Sequence, residues 1–213
     1  MAPILFGADY SVYVRAARLA LEEKGVAYAL VPIDVFAPGG PPASYLARQP
    51  FGRIPAFEHD GFRLYESGAI TRYVDEAFPG PPLQPTTARQ RARMNQLLGI
   101  ADGQLYPQLV WGLYVELVSK PRRGEAGDPD RVAAARRMLP TCLAALAELK
   151  ADSAWLCGDR PSLADLHVAP MLDYALQVPE VAAALGRQAG LAAWWQRMAS
   201  RPAMHATRPA PAG

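Results

Sequence analysis

The sequence predicts a small mixed α/β domain followed by an all-helical one. Three observations carry that reading. Strand-like and helix-like patterns alternate as far as Phe78. A proline-rich break follows, Pro79-Gly-Pro-Pro82 and Pro85, where missing N–H donors and fixed φ angles suit a linker. Beyond it the strand signals vanish and apolar residues recur at helical spacing. With 213 residues, 51% of them hydrophobic, the chain can bury a substantial core as one large domain or two small ones.

Ile4-Leu5-Phe6, closed by Gly7, reads as a short buried strand. From Val12 to Lys24 the period turns helical: Val14, Ala17 and Leu21 share one face, and Arg15, Arg18 and Glu22 another. Gly25 supplies the left-handed residue that stops a helix. Ala27 to Val31 is a second apolar run, ended by Pro32. A strand–helix–strand unit of this kind almost always winds right-handed with parallel strands. The loop Ala37-Pro-Gly-Gly-Pro-Pro42 leads to a short helical stretch, Ala43 to Arg48. Ala56–His59 and Phe62–Tyr65 flank Asp60-Gly61, a strong hairpin signal. A helix pattern then runs from Ser67 to Phe78. Further helices are expected over Thr87 to Val118, Asp130 to Lys150, Ser162 to Leu176 and Leu191 to Ser200, with a frayed tail from Thr207 to Gly213. The expected boundaries are therefore 1–79 for the first domain, 80–86 for the linker, 87–206 for the helical domain and 207–213 for the tail.

The formal net charge is +2, and the longest basic runs are the pairs Arg122-Arg123 and Arg136-Arg137. No basic stripe for nucleic acid is present. Cys142 and Cys157 match no metal or redox spacing and lie among apolar neighbours, so they read as buried, inert thiols. His59, His167 and His205 lie far apart on dissimilar elements, and neither a metal nor another cofactor is expected. The N-terminus lacks the features of a signal peptide, and no run approaches the ~20 apolar residues of a membrane span. The expected setting is cytoplasmic.

Four features fall near the carboxyl edge of the sheet or at helix starts. Asp9-Tyr10-Ser11-Val12 opens the first helix. A hydroxyl there, with the helix N-terminus, can stabilise a thiolate; equally, Ser11 can simply cap the helix. Arg53-Ile54-Pro55 precedes the hairpin, and a cis proline there would turn Ile54's backbone outward to pair with a peptide ligand. Glu66-Ser67 opens the third helix and matches the ammonium and carboxylate of an amino-acid head group; the alternative is an ordinary Ser N-cap. Ser162-Leu163-Ala164-Asp165 is a capping box, and Asp165 reads as structural.

In order and spacing these segments resemble the glutathione transferase family. The resemblance is carried by Ser11 with Arg15, Leu19-Ala-Leu-Glu-Glu-Lys-Gly25, Gln49-Pro-Phe-Gly-Arg-Ile-Pro-Ala-Phe57 and Leu64-Tyr-Glu-Ser-Gly-Ala-Ile-Thr-Arg-Tyr73. It continues through Gly103-Gln-Leu-Tyr-Pro107, Ser162-Leu-Ala-Asp-Leu166 and Ala193-Trp-Trp-Gln-Arg-Met198. The serine-type classes, phi and theta and their bacterial relatives, are the nearest in pattern. The resemblance implies a thioredoxin-like N-terminal domain, an all-α C-terminal domain and a homodimer. It makes Ser11 the residue that stabilises the glutathione thiolate, Pro55 a cis proline, Ile54 the backbone partner of the cysteinyl unit, and Glu66 and Ser67 the clamp on the γ-glutamyl end. Tyrosine-type relatives carry their hydroxyl where this chain has Phe6, and redox relatives carry a cysteine in the Ser11 turn. Tyr10 and Tyr13 remain nearby hydroxyls. Serine-type relatives often place a His or Lys before the second helix for the glycyl carboxylate; Pro38–Pro42 is uncharged here, and Arg53 is the replacement. Tyr106, Trp111 and Tyr114 are the aromatic candidates for the pocket of a small hydrophobic electrophile. A glutathione-dependent isomerase, dehalogenase or disulfide reductase, or a non-catalytic interaction module, would share the scaffold.

Overall fold

The computed structural model describes residues 1–210. It divides the chain into two compact units, Met1–Leu83 together with the residues from Arg201 on, and Gln84–Ser200.

The first unit is built on a four-stranded sheet in the order β2-β1-β3-β4. β1 (Ile4–Phe6) runs parallel to β2 (Ala29–Val31) and antiparallel to β3 (Ala56–His59), which pairs antiparallel with β4 (Phe62–Tyr65). The β3–β4 connection has Asp60 at φ 48° and Gly61 at φ 79°, as a two-residue hairpin requires for its twist to match the strands. α1 (Val12–Glu23) lies between β1 and β2, α2 (Ala43–Leu46) between β2 and β3, and α3 (Ser67–Ala77) after β4. α1 packs on α3 and buries Leu19, Leu21, Ile70 and Val74 completely.

The register places the functional edge. Ala56 stands opposite Phe6 on one side and Tyr65 on the other. The chain after Phe6, the chain before Ala56 and the chain after Tyr65 therefore all emerge at one edge of the sheet. These are the segments that lead to Ser11, Pro55 and Glu66.

Two boundaries differ from those expected. The break at 80–86 is no loose tether over its first half. Buried Lys24 donates to Asp75 Oδ1 at 3.2 Å and to the carbonyls of Gly80 at 3.4 Å and Pro81 at 3.2 Å, while Asp75 Oδ1 also accepts from Leu83 N at 2.8 Å. This ion pair fastens residues 80–83 to the first unit. The second domain also ends earlier than residue 206. α10 (Pro202–Ala206) belongs to the first unit and lies along α1. Arg201 forks onto Glu23, Arg15 donates to Met204 O at 3.0 Å and Thr207 Oγ1 at 3.3 Å, and Arg18 donates to the carbonyls of Ala206 and Thr207. Thr207, placed by the sequence in a frayed tail, is fully buried, and Ala210 N donates to Asp9 at 3.1 Å. The remainder of that tail, residues 211–213, lies outside the described residues.

The second unit is helical. One long helix runs as α4 (Ala88–Ile100), a π-helical segment Ala101–Ser119 containing Pro107, and α5 (Lys120–Arg122). It packs against α6 (Pro129–Lys150) and α7 (Leu163–Ala175). α8 (Pro179–Gly186) and α9 (Ala189–Ala199) follow. α8 and α10 escape the periodicity argument because they are only 8 and 5 residues long, although each carries the Pro at its start that marks a helix N-terminus. Glu116, buried in the π segment, accepts from Lys120 Nζ at 2.6 Å and Asp128 N at 2.8 Å. It thereby ties down the stretch after Val118. Lys120 and the Asp128 N–H hold its carboxyl below the usual range despite burial.

Candidate active site

The turn from β1 into α1 is shaped by a glycine. A Cβ at Gly7 would lie 2.4 Å from Val14 Cγ2 and 3.3 Å from Ile54 Cβ, so only glycine lets the turn close against α1 and Ile54. At the end of that turn Ser11 is the N-cap of α1, at φ −75° and ψ 127°, and its Oγ accepts from Val14 N at 3.4 Å. A hydroxyl that accepts keeps its own proton to donate. Capping and thiolate stabilisation are therefore compatible at Ser11, which is half-buried.

The neighbouring hydroxyl is differently employed. Tyr10 donates its proton to Asp34 Oδ1 at 3.0 Å. Burial, the Asp34 hydrogen bond and the charges of Asp34 and Asp9 all push its phenol above the ordinary range. Tyr10 thus offers neither a free proton nor an accessible phenolate to a thiol. Phe6 has no hydroxyl to offer, and its ring is covered by the Arg48 guanidinium, 4.9 Å from the centroid.

The Ile54–Pro55 bond is cis. Ile54 sits against Gly7, and among the described residues nothing hydrogen-bonds to its main-chain N–H or C=O. The loop before it is held by Gln49, a buried residue whose Oε1 accepts from Phe51 N at 2.7 Å and Arg53 N at 3.3 Å. Gln49 stands in the quoted motif, but a buried amide inside a loop has no periodicity to reveal it. Arg53 is exposed; its carbonyl accepts from the Tyr45 hydroxyl, and its guanidinium has no partner among the described residues.

At the start of α3 the residues exchange their expected places. Glu66, not Ser67, occupies the N-cap position, and Ser67 is the first helical residue, 7% exposed. No side chain caps the helix, so its first N–H groups stay available to an anion. Glu66 adopts φ 69° and ψ 113°, a left-handed-side conformation that costs a non-glycine residue roughly 1–3 kcal/mol. Its carboxylate is exposed and unpartnered among the described residues.

The aromatic residues proposed for the electrophile pocket each make a ring contact on the helices of the second unit. Tyr106 meets Trp111 edge-on at 6.3 Å, whereas Tyr114 packs on Tyr174 at 4.5 Å. Trp111 is 37% exposed. Burial raises both thiols, Cys157 to about 11, which leaves each a poor nucleophile. Among the described residues no group of three or more His, Cys, Asp or Glu is placed to hold a metal.

Comparison with known proteins identifies this architecture. Residues 5–82 match the family described as Glutathione S-transferase, N-terminal domain, and residues 105–202 match Glutathione S-transferase, C-terminal domain. Among curated proteins the chain is 34% identical to Glutathione S-transferase 4 of Zea mays, covering 93% of this chain and 88% of that one. It is 31% identical to Glutathione S-transferase F9 of Arabidopsis thaliana, covering 91% and 90%. Among solved structures, apo glutathione S-transferase III superposes with a TM-score of 0.87 at 30% identity over 100% of both chains. Maize glutathione S-transferase I, solved with an atrazine glutathione conjugate, gives 0.85 at 26% identity over 98% of this chain and 97% of that one. With both domains matched and relatives above 30% identity spanning nearly its whole length, the chain belongs to the glutathione S-transferase family.

Proposed function

We propose that this glutathione transferase is a serine-type enzyme whose thiol-activating residue is Ser11. The observation that carries the reading is the meeting, at one edge of the sheet, of the Ser11 turn, the Ile54 main chain and the uncapped start of α3. Glutathione offers a matching set of groups. Its γ-glutamyl carboxylate suits Ser67 and the first N–H groups of α3, its ammonium suits Glu66, and its cysteinyl backbone suits Ile54 beside Pro55. Arg53 is the cation left for the glycyl carboxylate.

With the peptide so held, the Ser11 O–H points its proton at the sulfur. A hydrogen bond to the anion favours the thiolate and lowers the thiol's pKa, with the proton leaving to solvent. The sulfur lone pair then attacks a carbon of the second, mostly apolar substrate. The C–S bond forms as the leaving group departs with its electron pair, or as the pair moves onto an activated double bond. Glutathione is co-substrate, and the chemistry is complete without a resident cofactor.

Ser11→Ala tests this. Hydrogen bonds to charged groups are worth roughly 1.5–3 kcal/mol, so turnover should fall tenfold or more while glutathione still binds. Titrating the bound thiol by its thiolate absorbance should show the pKa rising in the variant. An unchanged pKa would remove Ser11 from the role.

We further read the enzyme as a cytoplasmic homodimer. Ile70 and Val74 are fully buried within the first unit and so are not available to a partner. Phe51 and Phe62, 68% and 51% exposed on the first unit, are among the large apolar side chains that a partner could cover. Light scattering at micromolar concentration should give twice the 23.0 kDa chain mass; a monomer throughout would refute it.

A further inference from the structure

At the start of α4 two arginines border one cavity and meet no acid. The cavity, about 270 Å³, lies wholly within the second unit, between the first turns of α4, the end of α6 and the loop 153–158. Arg89 and Arg93 stand four residues apart on one face of α4, a spacing at which like charges repel. They also oppose the helix dipole, and α4 has no acid in its first turn to offset them. Elsewhere arginines find carboxylates, Arg136 on Glu180 and Arg201 on Glu23. Here, among the described residues, Arg89 has no hydrogen-bond or ion-pair partner, and Arg93 donates to neutral Gln96 at 2.6 Å. What separates the two from ordinary solvated arginines is the cavity they share. Gln90 brings a neutral donor to it: the Thr87 hydroxyl donates to Gln90 Oε1 at 2.9 Å, and the Nε2 end lies toward Gly158, 3.7 Å from where a Cβ there would stand. Leu149 and Leu156 supply an apolar wall, beside Cys157. Burial raises that thiol to about 11, so it stays protonated and adds no negative charge at neutral pH. Glu148, Asp152 and Asp159, the acids nearest in sequence, are exposed and do not line the cavity.

We propose that this cavity binds a small organic phosphate, its dianionic head between Arg89 and Arg93 and its apolar body against Leu149 and Leu156. Two planar guanidinium forks match the charge and the oxygens of a phosphate. The Gln90 amide adds a further donor, and the leucine wall strengthens each of these interactions by keeping water from one side. The volume lies just below the roughly 300–1,000 Å³ of drug-sized sites, which suits a body of one ring. The proposal does not depend on the role of Ser11.

Calorimetry on the full chain at fixed ionic strength, with phenyl phosphate, inorganic phosphate and benzyl alcohol as probes, tests head and body separately. Phenyl phosphate should bind about tenfold tighter than inorganic phosphate, through the area its ring buries, and benzyl alcohol should show no measurable binding. Arg89→Gln and Arg93→Gln each remove a charge while keeping a polar side chain. Each should weaken phenyl phosphate about tenfold, the worth of one hydrogen bond to a charged group. Cys157 locates the ligand. Its alkylation by iodoacetamide at mildly alkaline pH, read by mass spectrometry against buried Cys142, should slow several-fold at saturating phenyl phosphate. In the chain carrying both Gln substitutions that protection should vanish. Parent affinity in both single variants, or an unprotected Cys157 at saturation, would overturn the site. So would benzyl alcohol or inorganic phosphate binding as tightly as phenyl phosphate.

Discussion

The starts of α3 and α7 use the same ingredients, a serine and an acid, and put them to opposite ends. At α7, Ser162 is the N-cap and Asp165 closes the capping box. Asp165 accepts from Ser162 N at 2.7 Å, Ser162 Oγ at 2.7 Å, Leu156 N at 2.9 Å and Trp194 Nε1 at 2.7 Å, and it is fully buried. Every lone pair that matters has a donor. At α3 the acid comes first, takes a strained backbone angle, and has a carboxylate without a partner among the described residues, above a helix that no side chain caps. A helix start that satisfies itself is architecture. One that leaves its N–H groups open and holds strain to do so is poised for a ligand that supplies the missing anion.

The contrast can be broken most forcefully at Asp165. Asp165→Ala strands two backbone N–H groups, the Ser162 hydroxyl and an indole N–H, each bond to a charged acceptor being worth roughly 1.5–3 kcal/mol. A loss of at least about 3 kcal/mol is expected, lowering the unfolding midpoint by roughly 6–12 °C. A midpoint within a degree or two of the parent would mean that the network is decorative.

At the other helix start the effect should fall on binding. Glu66→Ala and Ser67→Ala should each raise KM for glutathione, about tenfold for Glu66 and several-fold for Ser67, since both hold the substrate's remote end. Calorimetric affinity for glutathione that matches the parent in both variants would contradict the clamp. The smallest effect sharpens the strain argument. Glu66→Gly should leave stability equal or improve it by up to about 1 kcal/mol, because glycine adopts positive φ without a Cβ clash, while affinity still falls. A destabilised glycine variant would show that Glu66 supports the fold through contacts rather than resisting it.

Much of the first unit was legible because its signals are local. Asp60-Gly61 announces a hairpin by the φ values it tolerates, Gly25 ends α1 at φ 65°, and the period of Val14, Ala17 and Leu21 marks a buried face. The capping box at Ser162 and Asp165 was legible for the same reason, since its partners are three residues apart. The order of these segments also sufficed for the family, and with it the expectation of cis Pro55.

What only the tertiary structure decided involves partners far apart in the chain. No periodicity links Lys24 to Gly80, or Arg15 to Thr207, so neither the stitched linker nor the C-terminal segment along α1 was visible beforehand. The same holds for Tyr10, whose O–H donates to Asp34 across the sheet's first crossover, and for Glu66 and Ser67, whose places are set by where β4 ends. Local conformational preference is written residue by residue, whereas hydrogen-bond partners and charges are assigned only once packing brings distant side chains within about 3 Å.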